Sequence, residues 1–265
     1  HQAVEAKEGL EVNADRETLA RLSFQRFFRT YPFMCGMTGT AADATVEMEA
    51  VYQRPVTIIP TNRPVIREQW PIRIFEHADA KWDAIVASIE DLHTKGRPLL
   101  VGTRSIASSE YLSKRLEARN LPHRVLNANF DSEEAEMITH AGRRGAITVA
   151  TNMAGRGTDI KLDPDAKEAG GLHVILTELH GAKRIDRQFI GRAGRQGDPG
   201  SAQIFVSLDD ELIDQHARRF KGLIGGPMAS RLCRLAQRRA EARDRRNRAS
   251  VLRQDDWIDR FMPGA

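Results

Sequence analysis

An apolar run, Ala146–Val149, gives way at Ala150 to the string ATNMAGRGTDI, which ends at Ile160. The run has the length and make-up of a buried strand. The loop after it packs Gly155, Arg156, Gly157 and Asp159 into a few positions. That mixture suits the C-terminal edge of a parallel sheet, where nucleotides bind. About thirty residues on, roughly one helix and one strand, comes a second loop, Gln188-Phe-Ile-Gly-Arg-Ala-Gly-Arg-Gln-Gly-Asp198. The two loops together read as one half of a nucleotide-driven device.

Strand-length apolar runs alternate with helical patterns through the middle of the chain. Strands are expected at Val56–Ile59, Pro98–Val101, Arg124–Leu126, Ala146–Ala150, His173–Thr177 and Ala202–Ser207. Lys81–Lys95 places Trp82, Ile85, Val86, Ile89 and Leu92 on one helical face. Ser105 is positioned to cap a helix over Ser105–Arg119. Asp131 with Glu134 forms a capping-box pattern ahead of a helix to Ala141. A further helix is expected over Arg184–Arg192. This repeated β-α-β order predicts an α/β fold, a parallel sheet covered by helices on both faces. Pro55–Pro71, with its four prolines, reads as an extended connector. Beyond Gly225-Gly-Pro227 the pattern becomes one long Arg-rich helix.

Glycines let a backbone approach a ligand closely. The Arg156 guanidinium forms a rigid fork matched to phosphate oxygens. Asp159 only accepts, so it suits ribose hydroxyls or an arginine. The plain alternative is a tight loop closed by an internal Arg–Asp pair. In the second loop, Arg192 and Arg195 stand three apart at a helix end and can face one side. Two guanidiniums aimed at one point repel unless an anion lies between them. A γ-phosphate is such an anion, and an arginine finger on it is worth about 10³ or more in rate. The plain alternative is a surface pair held by carboxylates such as Asp186 or Asp198. The chain contains no G-x-x-x-x-G-K-[ST] string and no acidic tetrad after a strand. The phosphate cradle and the Mg²⁺ ligands must therefore come from elsewhere, which makes this chain the second of two lobes. Gly36-Met-Thr-Gly-Thr40 reads either as an ordinary capping turn or as a loop that couples the site to motion.

Composition adds limits. Of 265 residues, 41% are hydrophobic and 29% charged, ordinary for a soluble α/β protein. The net charge of +4 is concentrated in RLCRLAQRRAEARDRRNR after Pro227. That segment suits nucleic acid, anionic lipid, an acidic protein surface, or simply a solvated helix face. Cys35 and Cys233 lie far apart and read as reduced thiols of a cytosolic protein. No run approaches the ~18 apolar residues of a membrane span, and the opening HQAVEAKEGL is no signal peptide. That opening lacks Met and reads as mid-helix, which suggests a fragment, while Phe261-Met-Pro-Gly-Ala265 reads as a chain end.

Several strings, in order, resemble the SecA family, the ATPases of bacterial preprotein translocation. They are Met37-Thr-Gly-Thr-Ala41, Pro60-Thr-Asn-Arg-Pro64, Thr151-Asn-Met-Ala-Gly-Arg-Gly-Thr-Asp159, Gly170-Gly-Leu-His-Val174 and Gly191-Arg-Ala-Gly-Arg-Gln-Gly-Asp198. The resemblance implies a RecA-like, helicase-type sheet plus a long C-terminal helix. It assigns residues 1–53 to the end of a first nucleotide-binding lobe, 54–220 to the second lobe and 221–265 to the start of a helical scaffold. It implies nucleotide contacts from Gly155, Arg156, Asp159 and Gln188, catalytic arginines at Arg192 and Arg195, and coupling by Thr38, Gly39 and Thr40. It implies ATP with Mg²⁺, the metal ligands coming from the first lobe. It implies a SecYEG-type membrane channel and an unfolded preprotein as partners, an anionic lipid surface as a further candidate, and a cytoplasmic protein at the inner face of the membrane. Nucleic acid is not expected. The phosphate-binding loop, the acidic motif and the preprotein-crosslinking domain of the family would lie before His1, and its two-helix finger, wing domain and zinc tail beyond Ala265. The Gln254-Asp-Asp-Trp-Ile-Asp259 text departs from the family's scaffold helix and suggests a shortened member.

Two other readings share these residues. A superfamily 2 RNA or DNA helicase lobe carries the same fold and the G-R-x-G-R string, but would bind nucleic acid with salt-sensitive affinity. A regulatory module that has lost turnover would also lack the cradle. The Met-Thr-Gly-Thr-Ala and Thr-Asn-Arg-Pro strings favour the translocation family over the helicase.

Overall fold

The computed structural model describes residues 23–126, 139–151, 159–218 and 227–261. The chain divides into two compact units, one of residues 38–44 and 57–243, the other of residues 1–37, 45–56 and 244–265. In chain order the described helices are α1 (Phe24–Arg29), α2 (Thr45–Tyr52), α3 (Ala78–Thr94), α4 (Ile106–Glu117), α5 (Pro164–Glu168), α6 (Lys183–Ile190), α7 (Glu211–Ala217) and α8 (Pro227–Phe261). The described strands are β1 (Glu68–Gln69), β2 (Arg73–Phe75), β3 (Leu99–Thr103), β4 (Arg124–Leu126), β5 (Ile147–Thr151), β6 (Leu172–Leu176) and β7 (Gly200–Ser207).

In the larger unit the strands form one parallel sheet in the order β4-β5-β3-β6-β7, with β1 and β2 both along the outer edge of β7. β3, β5, β6 and β7 are buried at every position. Parallel strands covered on both faces read as continuous apolar runs, which is why the sequence placed them well. Their side chains alternate between two cores. Leu99, Val101, Ile147, Val149, Ile175 and Phe205 join Ile85, Ile89, Leu112 and Leu116 of α3 and α4. Leu100, Ala150, Val174, Leu176, Ile204 and Val206 face the other way, onto Phe189, Ile213 and Leu232. The chain leaves β5 on one side of β3 and returns as β6 on the other. The direction of the strand order reverses beside β3, and the C-terminal strand ends at such a reversal are where open α/β sheets commonly bind ligands. The result is the RecA-like arrangement expected from the sequence, with the long helix α8 after it.

Two local expectations change. Val56–Ile59 forms no strand; Ile58 and Ile59 are 75% and 82% exposed and have no ladder partner. β-branched residues favour strands only where a neighbour takes their backbone groups. Edge pairing begins instead at Glu68 and is split by Pro71, which cannot donate to a ladder. Before the break, the Trp70 amide donates to the Ala202 carbonyl at 2.8 Å. At the break, Gln203 Nε2 donates to the Pro71 carbonyl at 3.1 Å, satisfying it from the side chain. The capping box at Asp131 and most of the helix expected behind it lie outside the described residues. Ser105 caps α4 as expected, accepting from the Ser108 amide at 3.0 Å.

In the smaller unit, Ser23 caps α1, and its amide donates to Asp255 Oδ2 of α8 at 3.2 Å. Arg248 of α8 grips Glu47 of α2 with two hydrogen bonds, at 2.6 and 2.9 Å. Phe27 lies edge-on to Phe28 and Tyr31. Cys35 is exposed and Cys233 buried, both free thiols; burial pushes the Cys233 thiol up to about 11. No described helix is long and apolar enough to cross a membrane.

Candidate functional site

The first loop leaves the sheet at Thr151, the last residue of β5. Gly155 and Arg156 lie outside the described residues, so their placement stays an expectation. Past them the backbone is fixed by close packing. A Cβ on Gly142 would come within 1.9 Å of the Lys161 carbonyl oxygen, so only glycine fits there. The Asp163 amide donates to the Gly142 carbonyl at 3.2 Å. Asp159 directly precedes this packed stretch, and its Oδ1 accepts from Arg195 Nη1 at 2.7 Å.

The second loop begins on α6. Phe189 and Ile190 of this helix enter the core. Phe189 packs so closely on β3 that a Cβ at Gly102 would sit 2.6 Å from its ring. On another face, Gln188 Nε2 donates to Thr40 Oγ1 at 3.2 Å. The Thr40 amide turns back onto Thr38 Oγ1 at 3.3 Å, with Gly39 between them. Arg187 beside it pairs with Asp43 at 2.5 Å. Thus the segment 38–44 docks on α6 at two adjacent positions.

After α6 the chain turns sharply. Gly194, Gln196 and Gly197 all hold positive φ, at 66°, 56° and 80°. The turn separates the two arginines. Arg192 is buried and its guanidinium lies 5.6 Å from the centre of the Phe189 ring. Arg195 is more exposed; besides Asp159 it donates from Nε to the Gly191 carbonyl at 3.2 Å. The carboxylates named as alternative partners are engaged elsewhere, Asp198 by Lys167 at 2.8 Å and Asp186 by His180 at 2.6 Å.

Two residues to which sequence reasoning gave no structural role hold this turn. Arg67 Nη1 donates to the Ala193 carbonyl at 2.9 Å, and Arg63 Nη1 to that of Gln196 at 3.3 Å. Two arginines four apart in a proline-bounded connector were the available signal. Carbonyls freed by a glycine-rich turn need donors, and the connector supplies them.

A second charged group lies at the C-terminal ends of β3, β6 and β7. Lys81 pairs with Asp210, both buried. Arg104 reaches Glu178 at 3.4 Å and Glu211 at 3.2 Å. Burial, with the nearby Asp210 charge, raises the Glu178 carboxyl above the usual range. At the opposite sheet end, Arg97 binds the Gly170 carbonyl and Ser201 Oγ, each at 2.8 Å. His173 Nδ1 lies 2.6 Å from the same hydroxyl.

Among the described candidate residues, Asp159 meets Arg195, Gln188 meets Thr40, and Arg192 is buried over the Phe189 ring. Residues 64–168 and 163–224 match the model of the SecA P-loop domain, and residues 1–49 that of the SecA DEAD-like domain. The chain is 47% identical, over 97% of its length, to protein translocase subunit SecA of Nitratiruptor sp., and covers 31% of that protein. It is 53% identical, over 80% of its length, to protein translocase subunit SecA 2 of Rhodopirellula baltica, and covers 32% of that one. It thus spans about a third of the length of the curated relatives it matches. Among solved structures, the E. coli DEAD-box protein SrmB aligns with a TM-score of 0.46 at 21% identity, over 62% of this chain and 89% of that one. With matching models across both of its parts and relatives at about half identity along nearly its whole length, this chain belongs to the SecA family.

Proposed function

We propose that this chain forms the second lobe of the ATP site in a protein-translocation motor, which couples ATP hydrolysis to moving preproteins through a Sec membrane channel. The observation that carries this reading is the Asp159–Arg195 pair, which brings the two glycine-rich loops to one point 2.7 Å wide. The pair is exposed, so opening it costs only about 0–1 kcal/mol. A nucleotide that reaches this pair can take both partners: ribose hydroxyls on Asp159, and phosphate oxygens on Arg195 and Arg192. Gly155, Arg156 and Gln188 complete the nucleotide side. Gln188 also touches Thr40, so a change at the nucleotide reaches the Thr38-Gly39-Thr40 segment through one hydrogen bond. Residues 1–53, 54–220 and 221–265 then serve as the end of the first lobe, the second lobe and the start of the scaffold.

ATP arrives with Mg²⁺, whose charge offsets that of the phosphates. The metal's ligands are assigned to the first lobe, because the chain carries no acidic tetrad after a strand. The isolated chain accordingly binds nucleotide weakly and does not hydrolyse it. Closure of the lobes on ATP and their release after hydrolysis drive the preprotein forward. The partners are a SecYEG-type channel, an unfolded preprotein and an anionic lipid surface met by the Arg-rich helix, and the working place is the inner face of the cell membrane.

The test is ATP turnover by the 265-residue chain alone and joined to a complete first lobe. Turnover only in the joined form, raised by an unfolded preprotein, is expected. Steady hydrolysis by the chain alone, or stimulation by single-stranded RNA instead, overturns the reading.

A further inference from the structure

We propose that helix α8 supplies the N-terminal cap that α6 lacks, making Gln237 and Glu241 positioning residues for the arginines at the far end of α6. The arginine role rests on the function proposed above; the cap stands on geometry alone.

The first turn of any α-helix leaves amides without helical partners, and a Ser, Thr, Asp or Asn side chain commonly takes one. At α6 the cap position is Ala182, whose side chain has no oxygen to offer. The Lys183 amide donates instead to Glu241 Oε1 of α8 at 2.7 Å. That carboxylate also sits at the positive end of the α6 dipole. Gln237, four residues earlier, lies on the same face of α8. Its Nε2 uses both of its hydrogens, one on the His180 carbonyl at 3.0 Å, the other on Asp186 Oδ2 at 2.6 Å.

Asp186 is in the first turn of α6 and only 4% exposed. Its other oxygen accepts from the His180 amide at 3.0 Å and lies 2.6 Å from His180 Nδ1. A buried carboxylate stripped of one such donor leaves an unsatisfied charge. α8 grips the neighbouring helix by the same logic, since Arg239 donates to the His216 carbonyl in the last turn of α7 at 2.9 Å.

α6 has eight residues, too few to persist without tertiary support. Its first turn is held from α8, and its last leads directly into Gly191 and the two arginines. A displacement of α8 therefore uncaps α6 and loosens Arg192 and Arg195 together. In the reverse direction, a ligand that fixes the arginines tightens the seat of α8 by the same free energy.

The test is amide hydrogen exchange on the 265-residue chain carrying Glu241→Ala, Glu241→Gln or Gln237→Leu. Exchange at Lys183–Gln188 is expected to rise about tenfold or more in Glu241→Ala and Gln237→Leu, with β3 amides unchanged. Adding Ala182→Ser, which gives α6 a cap of its own, is expected to return Glu241→Ala towards the wild-type rate. Glu241→Gln, which keeps an acceptor without the charge, is expected to fall between. Unchanged exchange in α6, an equal rise throughout the sheet, or no recovery with Ala182→Ser overturns the proposal. A second arm joins the chain to a complete first lobe, where Gln237→Leu is expected to lower kcat for ATP several-fold while leaving KM within twofold. An inactive wild type in that arm counts against the functional reading, and the exchange result still decides the cap.

Discussion

Arg195 and Asp159 are 36 positions apart in sequence and 2.7 Å apart in space. Asp159 follows the loop that leaves β5 at its C-terminal end, Arg195 sits in the turn that enters β7 at its N-terminal end, and each is about two-fifths exposed, 41% and 42%. An exposed pair of this kind holds two loops in register without adding much to stability. It is a contact made to be exchanged for a ligand.

The exchange predicts a separation of effects at the two arginines. Arg195→Ala should change unfolding free energy by no more than about 1 kcal/mol. In a two-lobed protein it should reduce ATP turnover by about 10³ or more if it acts on the terminal phosphate. Arg192→Ala should lose turnover and stability together, because its buried stem and guanidinium pack on Phe189. Urea titration beside steady-state hydrolysis reads both quantities. Normal turnover in either variant removes the catalytic role from that arginine.

His173 makes stability depend on pH. Burial holds its imidazole down to about 3, and the Arg97 charge beside it acts in the same direction. Its Nε2 is buried without a hydrogen-bond partner among the described residues. In the unfolded chain the ring titrates near 6.5. Between these values the unfolded chain binds a proton that the folded protein refuses, so stability falls as pH drops through the window. The loss by pH 5 is about 2 kcal/mol. Glu178 opposes it, because a raised carboxyl pKa lets the folded protein take up its proton first as pH falls. Comparing wild type with His173→Phe in urea at pH 7.5, 6 and 5 isolates the histidine. Parallel curves for the two proteins would refute its role.

The central strands were legible because burial on both faces leaves an unbroken apolar run, as in Leu99–Thr103 and Leu172–Leu176. The edge was not, because Glu68–Gln69 and Arg73–Phe75 owe their strand character to β7 and carry little of their own. Val56–Ile59 has the opposite fault: its β-branched residues promise a strand, but no neighbour pairs with them. Residue type made Arg192, Arg195 and Asp159 candidates, while the pairing of Asp159 with Arg195 depends on how the fold brings their two segments together. Arg63, Arg67, Gln237 and Glu241 were given no role for a related reason. Each donates to or accepts from a backbone group, which carries no signature in sequence.

The contact of Phe189 with Gly102 predicts a coupled pair. Gly102→Ala places a Cβ 2.6 Å from the Phe189 ring and 3.0 Å from Leu176. Overpacking of a buried strand costs about 1–3 kcal/mol. Because Phe189 lies on α6, the strain should also displace Arg192. Phe189→Leu alone should be destabilising through lost contact, yet it should recover part of the loss when combined with Gly102→Ala. A double-mutant cycle by urea denaturation measures this, and strictly additive effects would show that the two residues do not press on each other.

The Lys81–Asp210 pair should behave in the opposite way to Arg195–Asp159. Lys81 and Asp210 are 3% and 8% exposed. Asp210 also accepts from the Ser207 hydroxyl at 2.7 Å and the Ser207 amide at 2.8 Å, so its carboxylate joins α3 to the end of β7. Removing one partner strands a buried charge, and Lys81→Met is expected to cost about 3–5 kcal/mol. The charge left on Asp210 then meets Glu178 without the Lys81 cation that lowers the Glu178 carboxyl. Part of the Lys81→Met loss should therefore return at low pH, where a proton can neutralise one of the two acids. The double variant Lys81→Met with Asp210→Ala should cost less than the sum of the single changes. Because the pair is shielded from solvent ions, its contribution should persist in about 1 M salt, where exposed pairs are screened within roughly 3 Å. Denaturation of the four proteins at low and high salt tests this, and a coupling energy that vanishes in salt would place the pair in solvent rather than in the core.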